Sequence, residues 1–226
     1  MGEDKIMRKI TIIGATGTIG KAVAELLAQD HEIIRVGNRR GEHTVDLRSK
    51  ASIENLFKKT GTLDGVICAA GVTRFGKVTE VSDHDLEVGI NNKLMGQVNL
   101  ARIALRFLKP AGFITLSAGM LSREPWPSTV PAAMVNAAVE GFVRAAALDV
   151  EKNIRINAVS PIFINITAKK MGLTTSGTMT AMETAKAYVA SVEGDMTGQV
   201  LDVRKYGVVE GSPIETSDWW ESLNVA

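Results

Sequence analysis

Short runs of apolar, β-branched residues alternate along this chain with longer segments whose apolar positions recur at helical spacing. The apolar runs predict strands at Ile10–Ile13, Glu32–Val36, Gly65–Ala69, Phe113–Ser117, Arg155–Val159 and Gln199–Val203. The helical patterns cover Ile19–Gln29, Ser52–Lys59, Asp83–Leu108, Ala132–Glu151 and Thr180–Val192. Continuous apolar strands are buried on both faces, and their alternation with helices indicates right-handed βαβ units. The pattern therefore predicts an α/β fold: a doubly wound, mainly parallel sheet with helices on both faces.

Two segments depart from this alternation. Asn165–Thr180 is rich in glycine, serine and threonine, and it predicts a mobile loop. Residues 212–226, which include Trp219 and Trp220, predict no firm element and are treated as a C-terminal tail. Because no repeat and no low-complexity linker divides the chain, residues 1–226 are predicted to form a single domain.

Composition narrows the classes of partner. The 226-residue chain has a formal net charge of +1 at pH 7, without the basic excess of proteins that bind nucleic acid or anionic membranes. No apolar run approaches the roughly 18 residues of a membrane-spanning helix. The single cysteine, Cys68, rules out an internal disulfide framework and suits a reducing compartment. We therefore expect a cytoplasmic protein whose partner is a small molecule.

The first predicted strand runs directly into a glycine-rich turn at residues 14–20. Gly14 permits a tight turn, Gly17 lets backbone N–H groups approach a pyrophosphate, and Gly20 lets the next helix pack close to the sheet. The helix N-terminus adds unpaired N–H groups and a partial positive charge. A strand before the turn and a helix after it predict a Rossmann-type dinucleotide site. Its remaining predicted contacts are Thr16, Thr18 and Ile19.

The residues after the second strand bear on which nicotinamide cofactor binds. An acidic residue about 20 positions beyond the glycines binds the ribose 2′-hydroxyl of NAD, and none stands in Gly37-Asn38-Arg39-Arg40. A guanidinium can grip a 2′-phosphate, so NADP (NADPH) is predicted, with Arg39 the first contact, Arg40 the second and Asn38 beside them. The alternative is a solvated basic turn. Asp46, in the segment Thr44-Val45-Asp46-Leu47, either contacts adenine or caps the next turn.

Further motifs follow in order: Asp46-Leu47, Ala69-Ala70-Gly71, Ala137-Ala138-Val139-Glu140-Gly141-Phe142, Arg155-Ile156-Asn157-Ala158-Val159-Ser160-Pro161 and Thr197-Gly198-Gln199-Val200. With the glycine turn, these motifs resemble the short-chain dehydrogenase/reductase family over nearly the whole chain. The resemblance implies an oxidoreductase that interconverts a carbonyl and an alcohol. It also implies cofactor contacts at Leu47, Ala69, Ala70, Gly71 and Pro161.

The family's usual catalytic residues are missing at the matching positions. Its members typically use a Tyr-x-x-x-Lys pair, a serine on the fifth strand and an asparagine in the preceding helix. Here Ala132 and Asn136 stand at the tyrosine and lysine positions, Ala118 at the serine position and Lys93 at the asparagine position. Alanine cannot transfer a proton, and asparagine cannot supply a positive charge. A degenerate active site is therefore predicted, in which Asn136 still hydrogen-bonds the cofactor ribose.

Three side chains remain as candidate catalytic groups. Lys93 is predicted to project into the pocket as proton donor or base, because desolvation lowers the pKa of a lysine. The alternative is a structural lysine, either paired with a carboxylate or snorkelling at the helix edge. Ser117 and Ser122 either orient a carbonyl or make ordinary hydrogen bonds at a strand end. Trp126 is expected to form a pocket wall. The three histidines and Cys68 lack metal-ligand spacing, so no metal site is predicted.

Three functions are compatible with this sequence. The first is an NADP-dependent oxidoreductase that acts on a small carbonyl or alcohol with a non-standard proton donor. The second is a non-redox enzyme, such as an isomerase or cyclase, that keeps the nucleotide as a scaffold. The third is a non-catalytic NADP-binding sensor or scaffold. Because members of the family commonly pair through two long helices, here Asp83–Leu108 and Ala132–Glu151, the resemblance also implies a homodimer or homotetramer.

Overall fold

A computed structural model describes residues 6–170 and 174–211. The strands are β1 (Lys9–Ile13), β2 (Glu32–Gly37), β3 (His43–Thr44), β4 (Leu63–Cys68), β5 (Leu108–Ser117), β6 (Arg155–Ser160) and β7 (Val200–Asp202). Within the described residues they form one seven-stranded sheet in the order β3-β2-β1-β4-β5-β6-β7, and every pair is parallel. The predicted α/β doubly wound sheet is confirmed.

Helices cover both faces of the sheet. They are α1 (Thr18–Leu27), α2 (Lys50–Thr60), α3 (Asp83–Gly89), α4 (Met95–Ala104), α5 (Val130–Asp149), α6 (Asn165–Lys170) and α7 (Ala181–Glu193). One apolar core lies under α2, α4 and α5, and a second lies under α1 and α7. Strand side chains alternate between these two cores, as the period of two in a β-strand requires.

The alternation along β5 decides which side chains can meet at its end. Ile114 and Leu116 enter the core beneath α4 and α5, whereas the Thr115 hydroxyl lies 2.8 Å from Ser191 Oγ of α7. Ser117 therefore faces α7, and Ala118, the next residue, faces α4 and α5. The side chains of these two adjacent residues therefore lie on opposite faces of the sheet.

The predicted continuous helix Asp83–Leu108 is wrong in its continuity. α3 ends at Gly89, a π-helical turn occupies Ile90–Leu94, and α4 follows from Met95. In this turn the Met95 N–H bonds to the Ile90 carbonyl, five residues back. Leu108, the predicted last helical residue, already belongs to β5. Apolar spacing does not distinguish a π turn from the α-helix that surrounds it, so the pattern gave no sign of the break.

The predicted loop Asn165–Thr180 is wrong over its first residues. Residues 165–170 form α6, and Ala168 on this helix is fully buried against Trp126 and Phe163. This tertiary contact outweighs the weak local pattern, because burial of one apolar face stabilises a helix more than propensity does. Residues 171–173 and the predicted tail, with Trp219 and Trp220, lie outside the described residues.

Candidate active site

Two cavities meet at the carboxyl ends of the central strands. The sheet order reverses between β1 and β4, and ligands of open α/β sheets bind at such a switch point. One cavity has a volume of about 260 Å³ and the other about 410 Å³. Both are lined by Ala69, Ala70 and Gly71, the residues directly after β4. Together the cavities form one elongated groove, called here the inner cavity (260 Å³) and the outer cavity (410 Å³).

Most of the predicted site residues line this groove. The outer cavity is lined by Gly14, Thr16, Gly17, Asn38, Asp46 and Leu47 among the predicted cofactor contacts. The inner cavity is lined by Ile19, Lys93, Ser117, Asn136 and Pro161. Thr18, Gly20, Arg39, Arg40 and Ser122 line neither cavity.

The glycine turn has the geometry that the sequence predicted for it. Gly14 has φ +88°, a left-handed conformation that favours glycine, and its N–H donates to the Val36 carbonyl at 2.8 Å. A Cβ on Gly20 would lie 2.1 Å from the Gly14 carbonyl oxygen. Gly17, at the N-cap of α1, makes no side-chain cap, and the first turn of α1 carries no acidic residue. The turn thus leaves the start of α1 open beside the outer cavity, which suits an anionic group.

An arginine that the sequence analysis did not select lines the outer cavity. Arg48 donates from Nε to Asp46 Oδ1 at 3.0 Å and from Nη2 to Oδ2 at 2.9 Å. These bonds lower the pKa of Asp46. The Arg48 N–H also donates to Asp46 Oδ1 at 3.0 Å, so Asp46 caps this turn while lining the cavity. Arg39 and Arg40 are exposed on the preceding turn, outside the lining.

Lys93 projects into the inner cavity from the π-helical turn. Its Nζ donates to the Ala118 carbonyl at 2.8 Å, and its stem packs on Gly71, where an added Cβ would lie 2.7 Å from Lys93 Cγ. Burial lowers the pKa of Lys93 to about 8. No carboxylate lies within ion-pair distance of Nζ among residues 6–170 and 174–211. The amine is therefore a desolvated group held by one backbone carbonyl, in a type of turn that often marks functional sites.

Its neighbour Asn92 fixes the same turn to the loop after β4. Asn92 Oδ1 accepts from the Val72 N–H at 2.7 Å. Gly71 and Val72 are thereby held against the π-helical turn, and the wall shared by the two cavities is held with them. Asn92 is thus a residue of the site that the sequence motifs did not indicate.

Asn136 lines the inner cavity and carries a buried acceptor without a partner. Only 3% of the residue is exposed, and its Oδ1 has no hydrogen-bond partner. Its Nδ2 lies against Gly119, where an added Cβ would approach within 2.7 Å. A buried polar atom without a partner is uncommon in a folded protein. An open glycine turn beside the outer cavity and an unpartnered acceptor on a residue that lines the inner cavity fit a dinucleotide with a hydroxyl-bearing inner half.

The Ser117 side chain lies on the face of the sheet that packs against α7. Its Oγ donates to the Cys68 carbonyl at 2.6 Å and lies 2.6 Å from the Tyr188 hydroxyl. Because a serine has one hydroxyl hydrogen, Tyr188 is the donor in the second bond. Tyr188 is fully buried and lines the inner cavity, and burial raises its pKa well above the usual range. Sequence reasoning missed Tyr188, although a tyrosine on the buried face of a helix needs a polar partner.

Ser122 lies in a charged network behind the inner cavity. Its Oγ is 2.6 Å from Glu140 Oε1 and 2.9 Å from the Gly119 carbonyl. Glu140, with a side chain only 4% exposed, also pairs with Arg123 and Arg144 at 3.2 and 2.6 Å. This network fixes the loop after β5 to α5. Ser122 as a carbonyl-orienting residue stays a prediction, with its hydroxyl held outside the cavity lining.

The remaining predicted features are placed as follows. Trp126 does not line either cavity and stacks on Phe163 at a centroid distance of 5.2 Å, while Phe163 lines the inner cavity. In the described part of the chain, no group of histidine, cysteine, aspartate and glutamate could hold a metal ion. No helix among those residues is long and apolar enough to cross a membrane.

Similarity to named proteins agrees with this geometry. A family model described as enoyl-(acyl carrier protein) reductase matches residues 21–200. The 3-oxoacyl-[acyl-carrier-protein] reductase of Chlamydia trachomatis is 26% identical over 163 residues, covering 69% of this chain and 64% of that relative, slightly under two thirds of its length. The reductase of the same name from Rickettsia prowazekii is 27% identical over 224 residues, covering 85% and 93% of the two chains.

Solved structures agree as well. The Listeria innocua protein lin1944 superimposes with a TM-score of 0.84 at 35% identity, covering 88% of this chain and 100% of that one. A small-chain dehydrogenase in complex with NADPH superimposes with a TM-score of 0.77 at 27% identity, covering 87% and 96%. The chain thus belongs to the short-chain dehydrogenase/reductase family of oxidoreductases, which bind a nicotinamide cofactor.

Proposed function

We propose that this protein is an NADPH-dependent oxidoreductase that acts on a small carbonyl or alcohol substrate, with Lys93 as its proton donor. The observation that carries the proposal is the desolvated Lys93 amine in the inner cavity, 2.8 Å from the Ala118 carbonyl and without a carboxylate partner among the described residues. The tyrosine and lysine positions of the family hold Ala132 and Asn136, so the proton has to come from another group.

The choice of NADPH has two supports. No acidic residue follows β2 in the segment Gly37–Arg40, and Arg48, paired with Asp46, places a guanidinium in the lining of the outer cavity. A 27% identical neighbour was solved in complex with NADPH. Gly14 and Gly17 would hold the phosphates, Arg39 or Arg40 the 2′-phosphate, and Asn136 a ribose hydroxyl. Bound NADPH supplies a hydride.

The cofactor preference is tested by comparing the dissociation constants of NADPH and NADH. We expect NADPH to bind more tightly, and Arg39→Ala to remove at least tenfold of that preference, since one charge-assisted pair contributes about 1.5–3 kcal/mol. Arg40→Ala and Arg48→Ala show whether either cation contributes. Tighter NADH binding by the unmodified protein contradicts the proposal.

Lys93 handles the proton in both directions of the reaction. When protonated, Nζ gives a proton to the substrate oxygen as that oxygen gains negative charge. In the reverse direction the neutral amine takes a proton from the alcohol. The bond to the Ala118 carbonyl keeps Nζ in place in either state. A pKa of about 8 suits such a group, because a general acid is most effective near the working pH. Carbonyl reduction should therefore slow as the pH rises through about 8.

The decisive assay follows NADPH consumption over a broad panel of carbonyl compounds. The panel includes 3-oxoacyl thioesters, because the Rickettsia prowazekii relative is named a 3-oxoacyl-[acyl-carrier-protein] reductase. Lys93→Met should abolish turnover, and Lys58→Met, an exposed change on α2, should leave it unaltered. Inactivity towards the whole panel despite tight NADPH binding contradicts the proposal and favours a sensor or scaffold. Product formation without NADPH oxidation favours a non-redox enzyme.

We propose a homodimer or homotetramer that pairs through α5. Met134, Gly141 and Leu148 recur every seven residues on this helix, with Met134 40% and Leu148 88% exposed. An added Cβ at Gly141 meets no atom within 4 Å, so a second copy could pack closely there. Light scattering should give at least two copies per particle, and Gly141→Trp should shift it to the monomer. A wild-type monomer at micromolar concentration contradicts this proposal.

A further inference from the structure

We propose that Lys93 also captures small apolar aldehydes, forming a reversible imine inside the inner cavity. This activity goes beyond the proposed function, in which Lys93 only transfers a proton. Capture needs the cavity and the amine, and it needs no cofactor.

The surroundings of Nζ destabilise the ammonium relative to an exposed lysine. An ammonium has three N–H donors, and a neutral amine has two N–H donors and one lone pair. Among the described residues, Nζ has one hydrogen-bond acceptor, the Ala118 carbonyl, and no carboxylate within ion-pair distance. A partly buried cation without a counter-charge is less stable than one in water. The neutral amine is therefore populated more than in an exposed lysine, and its lone pair is the nucleophile that an imine requires.

The wall of the inner cavity selects the kind of carbonyl compound. Beside Lys93 the lining is apolar, with Met120, Leu121, Ile162 and Ile164. This surface suits an aliphatic chain and disfavours a charged one. Asn136 is a polar residue in the same lining, and its buried Oδ1 has no hydrogen-bond partner. An unbranched aliphatic aldehyde thus finds an apolar wall for its chain, with a polar amide on the same cavity.

The capture step balances without an oxidant or a reductant. The Lys93 Nζ lone pair attacks the carbonyl carbon and a C–N bond forms. The electron pair of the C=O π bond moves to oxygen, which takes a proton from nitrogen and becomes the carbinolamine hydroxyl. The nitrogen then loses its second proton, its electron pair forms the C=N bond as the C–O bond breaks, and the hydroxyl leaves with that proton as water. Addition of water reverses each step and releases the aldehyde.

Burial also gives Lys93 a larger fraction of neutral amine at pH 7 than an exposed lysine has. With a pKa of about 8, roughly one Lys93 side chain in ten is neutral at pH 7, against about one in 2,500 for an exposed lysine. The lower basicity makes each neutral amine somewhat less nucleophilic. The difference in neutral fraction, roughly 200-fold, exceeds that loss.

The test traps the imine on the full-length, cofactor-free protein. The probe is butanal with sodium cyanoborohydride, which reduces an imine to a stable amine, and peptide mass mapping locates the added butyl group. At pH 7 we expect Lys93 to be modified at least tenfold faster than Lys58, an exposed lysine on α2. The rate should saturate with butanal and rise as the pH approaches 8. Modification spread evenly over the lysines overturns the proposal.

Variants make the result independent of folding and of hydride transfer. Lys93→Met and Lys93→Arg should both abolish the fast modification, and Lys93→Arg keeps a cationic chain of similar length. Lys58→Met should leave Lys93 modification unchanged. Fast modification that persists in a folded Lys93→Arg variant overturns the proposal. Because trapping uses no NADPH, its failure leaves the proposed oxidoreductase untouched, and an inactive oxidoreductase assay leaves the trapping result standing.

Discussion

Replacing Gly20 by alanine tests whether the glycine turn is held by backbone contact. An added Cβ would lie 2.1 Å from the Gly14 carbonyl oxygen and 2.6 Å from the Gly14 carbonyl carbon. Ordinary contact between such atoms begins near about 3.5 Å. Neither atom belongs to a flexible side chain, so the start of α1 has to move away from β1.

The expected change in the free energy of unfolding of Gly20→Ala is the sum of two opposing effects. Overpacking against a rigid neighbour destabilises the protein by about 3 kcal/mol, at the upper end of the usual range. Alanine in place of glycine inside a helix stabilises it by about 1 kcal/mol. The net loss is about 2 kcal/mol, which lowers the Tm of a domain of this size by about 4–8 °C. Gly141→Ala in α5 is the matched control, because its Cβ meets no atom within 4 Å. That variant should raise the Tm by about 2–4 °C.

Thermal unfolding followed by circular dichroism measures both variants, and light scattering on the same samples checks that each has the oligomeric state of the unmodified protein. NADPH titration by fluorescence should show weaker binding for Gly20→Ala, since the turn beside the outer cavity has shifted. A Tm for Gly20→Ala equal to or above that of the unmodified protein refutes the reasoning. The same holds if both alanines move the Tm in the same direction.

Three further predictions concern buried polar groups. Ser117→Ala should lower the free energy of unfolding by about 2–3 kcal/mol because it leaves the buried Tyr188 hydroxyl without a partner. Tyr188→Phe should cost only about 1 kcal/mol, because Ser117 keeps its bond to a backbone carbonyl. Urea unfolding measures both losses, and a larger loss for Tyr188→Phe than for Ser117→Ala contradicts the assignment of Tyr188 as the donor to Ser117. Glu140→Gln should cost about 1–2 kcal/mol by weakening two arginine pairs, whereas Glu87→Gln, an exposed control on α3, should stay within about 0.5 kcal/mol in the same experiment. The pKa of Lys93 falls from 10.5 to about 8 on folding, so the unfolded chain binds more protons between these values and stability should rise with pH across that window. Urea unfolding at several pH values compares the unmodified protein with Lys93→Met. The difference between their free energies of unfolding should grow with pH in that window, and a constant difference contradicts the assignment.

The alternation of strands and helices and the glycine turn could be predicted because both rest on local signals. The β-branched run ending at Ile13 and the spacing of the three glycines each have a direct physical cause. The same holds for Lys93, which the family motif placed beside the pocket. These features depend on residues close together in the chain, and local pattern carries that information.

Features that depend on distant contacts could not be predicted. α6 forms because Ala168 packs beneath Trp126 and Phe163, and nothing near Ala168 in the sequence indicates that contact. Tyr188 reaches the inner cavity because α7 packs on the face of β5 that carries Ser117. Arg48 lines the outer cavity because Asp46 holds it there, a pairing that the analysis of β2 and its turn did not consider.

The position of the Lys93 side chain depends on the number of residues in the π-helical turn as well as on their identity. Each residue of an α-helix advances the direction of its side chains by about 100°. A π turn accommodates one extra residue between two helical segments, so deleting one residue between Ile90 and Leu94 would leave an ordinary α-helix and change the directions of the side chains within the turn. The amine would then leave the Ala118 carbonyl although the lysine itself remained. A homologue can therefore conserve Lys93 and lose its site through a single gap, so helix length deserves the same scrutiny as residue type when relatives of this chain are compared.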